Sequence, residues 1–350
     1  MTTEFDLPRD LMEQEILPRV PIASLRAVRS TCKEWEASSK NQILGKAAGA
    51  TKPLLRFMMI DYQISQVIHC DGLLLCVVKD NKGLVVWNPY LGQIKWIHPR
   101  EKFESRDVYA LGYDKNRNHK ILRIFFEDYR VFGYEVYDFS LGSWKDVYVT
   151  HEDRDIWFHQ PSASLKGNTY FLVEEKGTKL VNEYAREKGN KNLDEYLLCF
   201  DFTAEEFGSR LPLPYDEHNV SLSCVGDEKL AVLHQTWGKS NVIEIWVTDK
   251  TDPSAVSWSK FLKLLDSGIE VDIYGGSFFI DEEKKVAVIF DIDEPEPNQT
   301  CRYKTVRTIT QDGAFTSDNM GEALNIGTPD DEKYCFPLVC PSYVPSLVQL

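Results

Sequence analysis

From Leu54 onward the chain alternates between short runs of β-branched and aromatic residues and polar turns, a texture typical of short β-strands. One unit recurs: a strand that ends in an aromatic residue, a polar turn, and a second strand marked by another aromatic residue. Its copies are Leu84–Trp96, Tyr134–Trp144, Tyr196–Phe207 and Ile243–Trp258, with a weaker one at Thr305–Phe315. Each copy follows another candidate hairpin, so the pattern predicts repeated units of four strands.

The period of this repeat indicates the architecture. The anchoring aromatic residues Trp87, Tyr137, Phe200 and Trp246 recur at intervals of roughly fifty residues, the spacing of a kelch-like β-propeller blade. Two further segments are left over and are candidates to pair with each other and close the ring: Leu54–Tyr62 and Ser342–Leu350. A large β-sandwich, which also contains many short strands, is the alternative that the pattern leaves open.

The front of the chain has a different period. Met12, Ile16 and Val20 recur every fourth residue, which predicts a short amphipathic helix, and two further short helices follow it. Three helices this small bury little surface among themselves and need another surface to pack on. The chain is therefore mainly β with a small α-helical N-terminal module, and we divide it into a helical module (1–46), a linker (47–53) and a propeller-like domain (54–350).

Composition narrows the class of protein. The chain is 43% hydrophobic and 12% aromatic, which suits a sizeable core. Its apolar runs are too short to cross a bilayer and no secretory signal precedes them, so we expect no membrane association and a location in the cytoplasm, the nucleus or both. Residues 1–50 hold seven basic and seven acidic residues, so the net charge of −14 lies in the rest of the chain. Such an acidic body disfavours nucleic-acid binding.

Patterns that carry chemistry are weak here. The eight cysteines include no Cys-x-x-Cys pair, which favours buried free thiols over structural zinc, and the seven histidines are scattered. No phosphate-binding or nucleophile motif is present, so we expect no catalytic residue, metal or cofactor. His69 and His234 lie in apolar runs typical of a core. Five tryptophans are expected to pack between blades rather than form a carbohydrate platform: Trp87, Trp96, Trp144, Trp246 and Trp258.

Two polar loops are the first candidates for target recognition, because propeller specificity resides in loops and the central mouth. They are the long loop Lys176–Asp194 and the acidic loop Asp291–Asn298. The acidic run Asp281–Glu283, followed by two lysines, instead indicates a solvated hairpin turn.

The opening stretch resembles the F-box motif over about residues 5–45. The residues that carry the likeness are Leu7-Pro8, Leu11, Ile16-Leu17, Val20-Pro21, Leu25, Arg29, Cys32-Lys33 and Trp35. The remainder, from Leu54 to Leu350, looks like the plant F-box-associated domain of type 1, through stretches such as HCDGLLLC, VVWNPYLGQIKWI, YEVYDFSLGSW and PSYVPSLVQL.

The resemblance implies a non-catalytic substrate receptor of an SCF-type ubiquitin ligase. In that family the F-box binds a Skp-type adaptor, which links to cullin and RING subunits, while the C-terminal domain holds a target protein. The residues expected to form the adaptor-binding module are Leu7, Pro8, Leu11, Ile16, Leu17, Val20, Pro21, Leu25 and Trp35. The alternative is a non-catalytic propeller that binds proteins or carbohydrate and whose degenerate F-box recruits no ligase.

Overall fold

A computed structural model describes the following parts of the chain: residues 64–78, 83–98, 100, 107–127, 130–147, 156–158, 162–175, 195–215, 220–226, 228–236, 242–252, 255–265, 271, 277–293, 302–323, 343 and 346–350. The helical module, the linker and Leu54–Tyr62 lie outside these residues, so the three-part division of the chain stays a prediction. All regular elements within the described residues are β-strands. Nothing in this part of the chain is a helix long and apolar enough to cross a bilayer.

The described part of the chain contains twenty-one strands in five antiparallel sheets, here called blades 1 to 5. Blade 1 contains β1 (Ile64–Cys70), β2 (Leu73–Val78), β3 (Leu84–Asn88) and β4 (Gln93–Ile97). Blade 2 contains β5 (Val108–Tyr113), β6 (His119–Glu127), β7 (Arg130–Asp138) and β8 (Ser143–Val147). Blade 3 contains β9 (Ile156–Phe158), β10 (Ala163–Leu165), β11 (Asn168–Glu175), β12 (Glu195–Asp201) and β13 (Glu206–Leu211). Blade 4 contains β14 (Val220–Val225), β15 (Lys229–Thr236), β16 (Val242–Asp252) and β17 (Ala255–Leu264). Blade 5 contains β18 (Ser277–Asp281), β19 (Val286–Ile292), β20 (Arg302–Thr310) and β21 (Phe315–Ala323).

Apart from β9, consecutive strands within a blade are neighbours, and the described residues form a five-bladed β-propeller. In blade 3 the innermost place is shared, because β9 and β10 pair with opposite ends of β11. The predicted recurring unit is confirmed as the third and fourth strands of a blade, with Trp87, Tyr137, Phe200 and Trp246 in the third strands. The alternative prediction of a β-sandwich is wrong.

The hydrophobic core lies in the seams between consecutive blades. At the seam between blades 2 and 3, Val136 packs with Phe171 and Phe200, and all three side chains are fully buried. Corresponding clusters join blades 1 and 2, 3 and 4, and 4 and 5. Because both faces of a central strand are covered, strands such as β6 are apolar runs, whereas the outer strands alternate.

Tight turns fix the register of the first hairpins. Asp71 and Gly72 connect β1 to β2 with φ values of 52° and 75°, and Lys166 and Gly167 connect β10 to β11 with 52° and 89°. Two consecutive residues with positive φ are typical of the type I′ turn, whose twist matches that of the strands it joins. Gly167 also packs closely against Tyr113: a Cβ at position 167 would lie 2.6 Å from the Tyr113 ring, so a side chain there would clash with it.

The C-terminal segment does not form the strand that its pattern predicted, since Tyr343 and residues 346–350 are not in a strand. Tyr343 packs against one face of blade 1, with Leu74 and Cys76, and Val348 and Leu350 pack against the seam between blades 1 and 2. The described end of the chain therefore contacts both sides of blade 1 without extending a sheet.

The cysteines of the described residues agree with the prediction of buried free thiols. Cys70, Cys76, Cys199 and Cys224 are buried thiols outside any disulfide, and burial raises the pKa of Cys76 to about 12. The other four cysteines lie outside the described residues.

Candidate interaction surfaces of the propeller

The residues predicted to bind the adaptor all lie outside the described residues. They are Leu7, Pro8, Leu11, Ile16, Leu17, Val20, Pro21, Leu25 and Trp35. The structure therefore offers candidate sites on the propeller alone, and these follow from its two ends.

The meander gives the propeller two unlike ends. Connections from first to second and from third to fourth strands are short and meet at one end, the turn end; examples are residues 71–72 and 139–142. Connections from second to third strands, and those between blades, meet at the opposite loop end, where the gap between β11 and β12 spans 176–194. Long loops on a rigid scaffold are the usual place for recognition, so the loop end is the candidate binding face.

At the turn end, a buried lysine joins blade 2 to blade 3. Lys120 Nζ donates to Phe202 O at 3.0 Å and to Glu205 Oε1 at 2.8 Å, and lies 3.6 Å from Asp114 Oδ2. Burial alone would lower the pKa of Lys120, but the hydrogen bond and charge of Glu205 outweigh it and raise that pKa. The cluster is a structural ion network rather than an acid–base site, because the lysine stays charged.

A second ionic contact at the turn end joins blade 1 to blade 2. Arg117 Nη2 donates to Asp71 Oδ1 at 2.9 Å, and His119 Nε2 lies 3.3 Å from Asp71 Oδ2. The Arg117 guanidinium also lies over the Tyr113 ring, 4.1 Å from its centroid. These contacts tie the turn between β1 and β2 to the turn between β5 and β6.

Blade 2 holds a buried ion triad of Asp107, Arg123 and Glu135. Arg123 donates from Nε to Asp107 Oδ2 at 2.9 Å and from Nη1 to Glu135 Oε1 at 2.8 Å. The three side chains are at most 6% exposed. Burial, reinforced by the charge of Asp107, raises the pKa of the adjoining Tyr109 phenol, so that group stays neutral. Both carboxylates share the one Arg123 guanidinium, which holds them in place and points to positioning rather than proton transfer.

Our sequence reasoning missed this triad and the aromatic pair beside it, Phe125 and Phe132. A signal was present, because Arg123 interrupts the apolar run ILRIFF and a charge in a central strand needs a buried partner. The position of Phe132, by contrast, depends on an irregularity of strand pairing that no local pattern announces.

The histidines and acidic side chains of the described residues are scattered. Among the described residues, no group of three or more His, Cys, Asp or Glu side chains is placed to hold a metal ion. His69 accepts a hydrogen bond from Gly72 N at 3.0 Å, and burial lowers its pKa to about 4. His234 is buried and stacks on Tyr215 with ring centroids 4.2 Å apart. His234 is therefore a core residue, as its apolar run predicted, whereas His69 is half-buried.

Three of the five tryptophans pack at seams between blades as expected, and Trp87 packs on blade 1 against the C-terminal segment instead. Trp144 Nε1 donates to His98 O at 2.8 Å and Trp258 Nε1 to Pro212 O at 2.9 Å, each bond crossing a seam between blades. Trp246 packs into the seam between blades 3 and 4, and Trp87 packs with Leu74 and Tyr343. Trp96 is the correction: it projects from the outer strand β4 and is 56% exposed.

Of the two predicted recognition loops, the structure describes only the first residues of one. Lys176–Asp194 lies outside the described residues, between β11 and β12. The predicted start of the acidic loop Asp291–Asn298 is wrong, because Asp291 still belongs to β19. Asp291 is fully buried and accepts a hydrogen bond from Arg307 Nη1 at 2.5 Å. The run Asp281–Glu283 reaches the predicted hairpin turn, where Lys284 Nζ donates to Asp281 Oδ2 at 2.7 Å.

Known proteins match this chain over residues that include those before Ile64, where the described structure begins. The family described as F-box associated beta propeller domain matches residues 38–350. An F-box/kelch-repeat protein of Arabidopsis thaliana is 52% identical over 396 residues, covering 100% of this chain and 97% of that protein. An Arabidopsis thaliana F-box protein is 43% identical over 406 residues, covering 100% of both chains. A further Arabidopsis thaliana F-box/kelch-repeat protein is 42% identical over 396 residues, covering 97% of this chain and 90% of that one.

Proposed function

The chain belongs to the F-box-associated β-propeller family, and we propose that it is the substrate-recognition subunit of an SCF-type ubiquitin ligase. The observation that carries the proposal is the coincidence of two features in one chain. The family match over residues 38–350 contains all five blades, and an F-box-like stretch precedes it. Chain-long relatives that are named F-box proteins support the same combination.

The front helices supply the contact with the ligase. Their apolar stripe has too little of its own chain to pack on, so a Skp-type adaptor is the surface that covers it. The residues that we assign to this module are those of the predicted F-box: Leu7, Pro8, Leu11, Ile16, Leu17, Val20, Pro21, Leu25 and Trp35. The adaptor in turn connects the chain to cullin and RING subunits.

The propeller holds the target protein and performs no chemistry. Binding there raises the effective concentration of a target lysine near the charged ubiquitin-conjugating enzyme, which accelerates transfer without a catalytic residue or cofactor in this subunit. The pairing of buried charges in blade 2 supports a scaffold that positions rather than reacts. The acidic body favours protein partners over nucleic acid, and we place the assembly in the cytoplasm, the nucleus or both.

Co-purification from plant cells tests this assembly. The tagged full chain should recover a Skp-type adaptor together with a cullin, and the Leu7→Ala/Pro8→Ala variant should lose both. The matched control is Leu141→Ala, which removes a 70% exposed side chain from a propeller turn and should keep both partners. A folded wild-type chain that recovers neither partner would overturn the proposal and leave a propeller whose F-box recruits no ligase.

A further inference from the structure

Two phenylalanine rings form an exposed pair at the loop end of blade 2. Phe125 lies near the end of β6 and Phe132 near the start of β7, with ring centroids 5.7 Å apart and planes at 49°. Phe132 is 59% exposed, while Phe125 is half-buried. We call these two rings the aromatic platform.

The platform rests on a rigid base. Gly133 faces Phe125, and a Cβ at that position would lie 2.4 Å from Phe125 Cζ, so the absence of a side chain there makes room for the ring. On another side, the Arg123 guanidinium lies 5.4 Å from the Phe125 centroid. That guanidinium is itself fixed by Asp107 and Glu135, with nitrogen–oxygen distances of 2.7 to 2.8 Å. A ring held this firmly loses little entropy when a ligand packs on it.

An irregularity in strand pairing turns Phe132 outward. Phe125 pairs with Gly133 and Phe126 pairs with Val131, so Phe132 is the extra residue of a β-bulge. Phe126 and Val131 both pack into the core between blades 2 and 3. Regular pairing would alternate the side chains of β7, whereas the bulge presents Phe132 to solvent, a use of bulges common beside functional sites.

Charge indicates what the platform receives. The net charge of −14 lies outside the first fifty residues, so the propeller attracts basic segments and repels acidic ones over a distance. The platform itself offers aromatic surface, which protein interfaces use as an anchor for a large apolar side chain. An apolar residue flanked by lysine or arginine satisfies both conditions.

We propose that the aromatic platform is a docking point for a target protein, and that it receives one large apolar side chain of a basic segment. The inference rests on the proposed function in so far as that function makes the bound protein a ubiquitination target. The docking itself depends on the platform and the charge of the propeller.

A random dodecapeptide library displayed on phage and panned on the immobilised full chain tests the docking. We expect enriched peptides that carry an aromatic or large aliphatic residue beside lysine or arginine. Their synthetic versions should bind Phe132→Ala at least about tenfold more weakly than wild type. The matched control is Phe315→Ala, which removes another exposed ring, 39% exposed on β21, and should leave affinity within about twofold.

Three results would overturn the platform: no enrichment over an uncoated surface, enrichment of acidic peptides, or equal affinity for wild type and Phe132→Ala. Equal thermal midpoints for wild type and Phe132→Ala would establish that a loss is local. Adaptor binding of the same preparations separates the two proposals. Peptide binding without adaptor binding would overturn the ligase role and keep the platform. Adaptor binding without peptide binding would overturn the platform and keep the ligase role.

Discussion

Charged side chains in the seams pair with side chains of opposite charge. Lys120 of blade 2 reaches Glu205 of blade 3, and within blade 5 the buried Arg307 holds Asp291. A buried ion pair adds little net stability over an apolar one, but the loss of one partner leaves an uncompensated charge. The Lys120–Glu205 pair therefore helps to specify how blades 2 and 3 meet, and the loss of either partner should lower stability more than the loss of an exposed ion pair.

Lys120→Met tests this at the seam between blades 2 and 3. The variant leaves Phe202 O without its donor and Glu205 with Lys145 as its ionic partner, 2.5 Å away. Since Lys120 is 7% exposed, we expect the free energy of unfolding to fall by about 2–4 kcal/mol, measured by urea denaturation at pH 7.

The control is Lys260→Met, which removes an ion pair with Glu244 at a lysine that is 38% exposed and should change stability by less than about 0.5 kcal/mol. The difference should also depend on pH. Burial would raise the pKa of Glu205, but Lys120 and Lys145 hold it below the usual 4.5. Its contribution is therefore complete above pH 4.5 and lost as the pH falls through the lowered value. Equal effects of the two variants, or an effect of Lys120→Met that grows on acidification, would contradict this account.

At the scale of elements, the outer strands repeat one device for joining blades. Trp144 of β8 and Trp258 of β17 each donate to a carbonyl just beyond the outer strand of the preceding blade. Gln311, in the turn before β21, does the same to Phe261 O in β17, at 2.9 Å. The seams thus combine an apolar interior with a directional bond at the rim, which fixes the angle between blades as well as their contact.

The C-terminal segment is a further fastening element, bound to blade 1 by a fully buried asparagine. Asn88 Nδ2 donates to Ser346 O at 3.1 Å and to Val348 O at 2.8 Å. Asn88→Ala breaks both bonds, and we expect it to lower the free energy of unfolding by about 2 kcal/mol. Hydrogen exchange should rise in β3 and β4, because the segment then detaches from them.

Leu347→Ala serves as the matched control, since it removes a 38% exposed side chain from the same segment and should change exchange little. Deletion of residues 346–350 should reproduce the effect of Asn88→Ala on β3 and β4. Unchanged exchange after the deletion would show that the segment contributes no fastening.

At the scale of the molecule, the sequence predicted what depends on local period and missed what depends on distant pairing. The spacing of Trp87, Tyr137, Phe200 and Trp246 was sufficient to place the third strand of four blades. The end of the chain was misjudged because its apolar alternation suits a strand, yet Asn88 and the core between blades 1 and 2 capture it as a bound segment. Phe132 was missed because a bulge arises from the register of two strands.

The same limit applies to the candidate sites. The F-box residues could be proposed from their order alone, since a short linear motif carries its own spacing. The aromatic platform could not, because Phe125, Gly133 and Arg123 meet across two strands and part of their support comes from Asp107, the residue before β5. Recognition surfaces of a propeller are assembled from several strands, so they become visible with the fold.

We propose that the predicted N-terminal helices bind a Skp-type adaptor while the propeller stays free for a target. Isothermal titration of purified full-length chain with a plant Skp-type adaptor measures this most directly. We predict one adaptor per chain and a dissociation constant at least about thirtyfold weaker, about 2 kcal/mol, for Leu7→Ala/Pro8→Ala, with Phe132→Ala unchanged from wild type. Absence of binding heat at several temperatures with a folded chain, or equal affinity for the double variant, would contradict the claim.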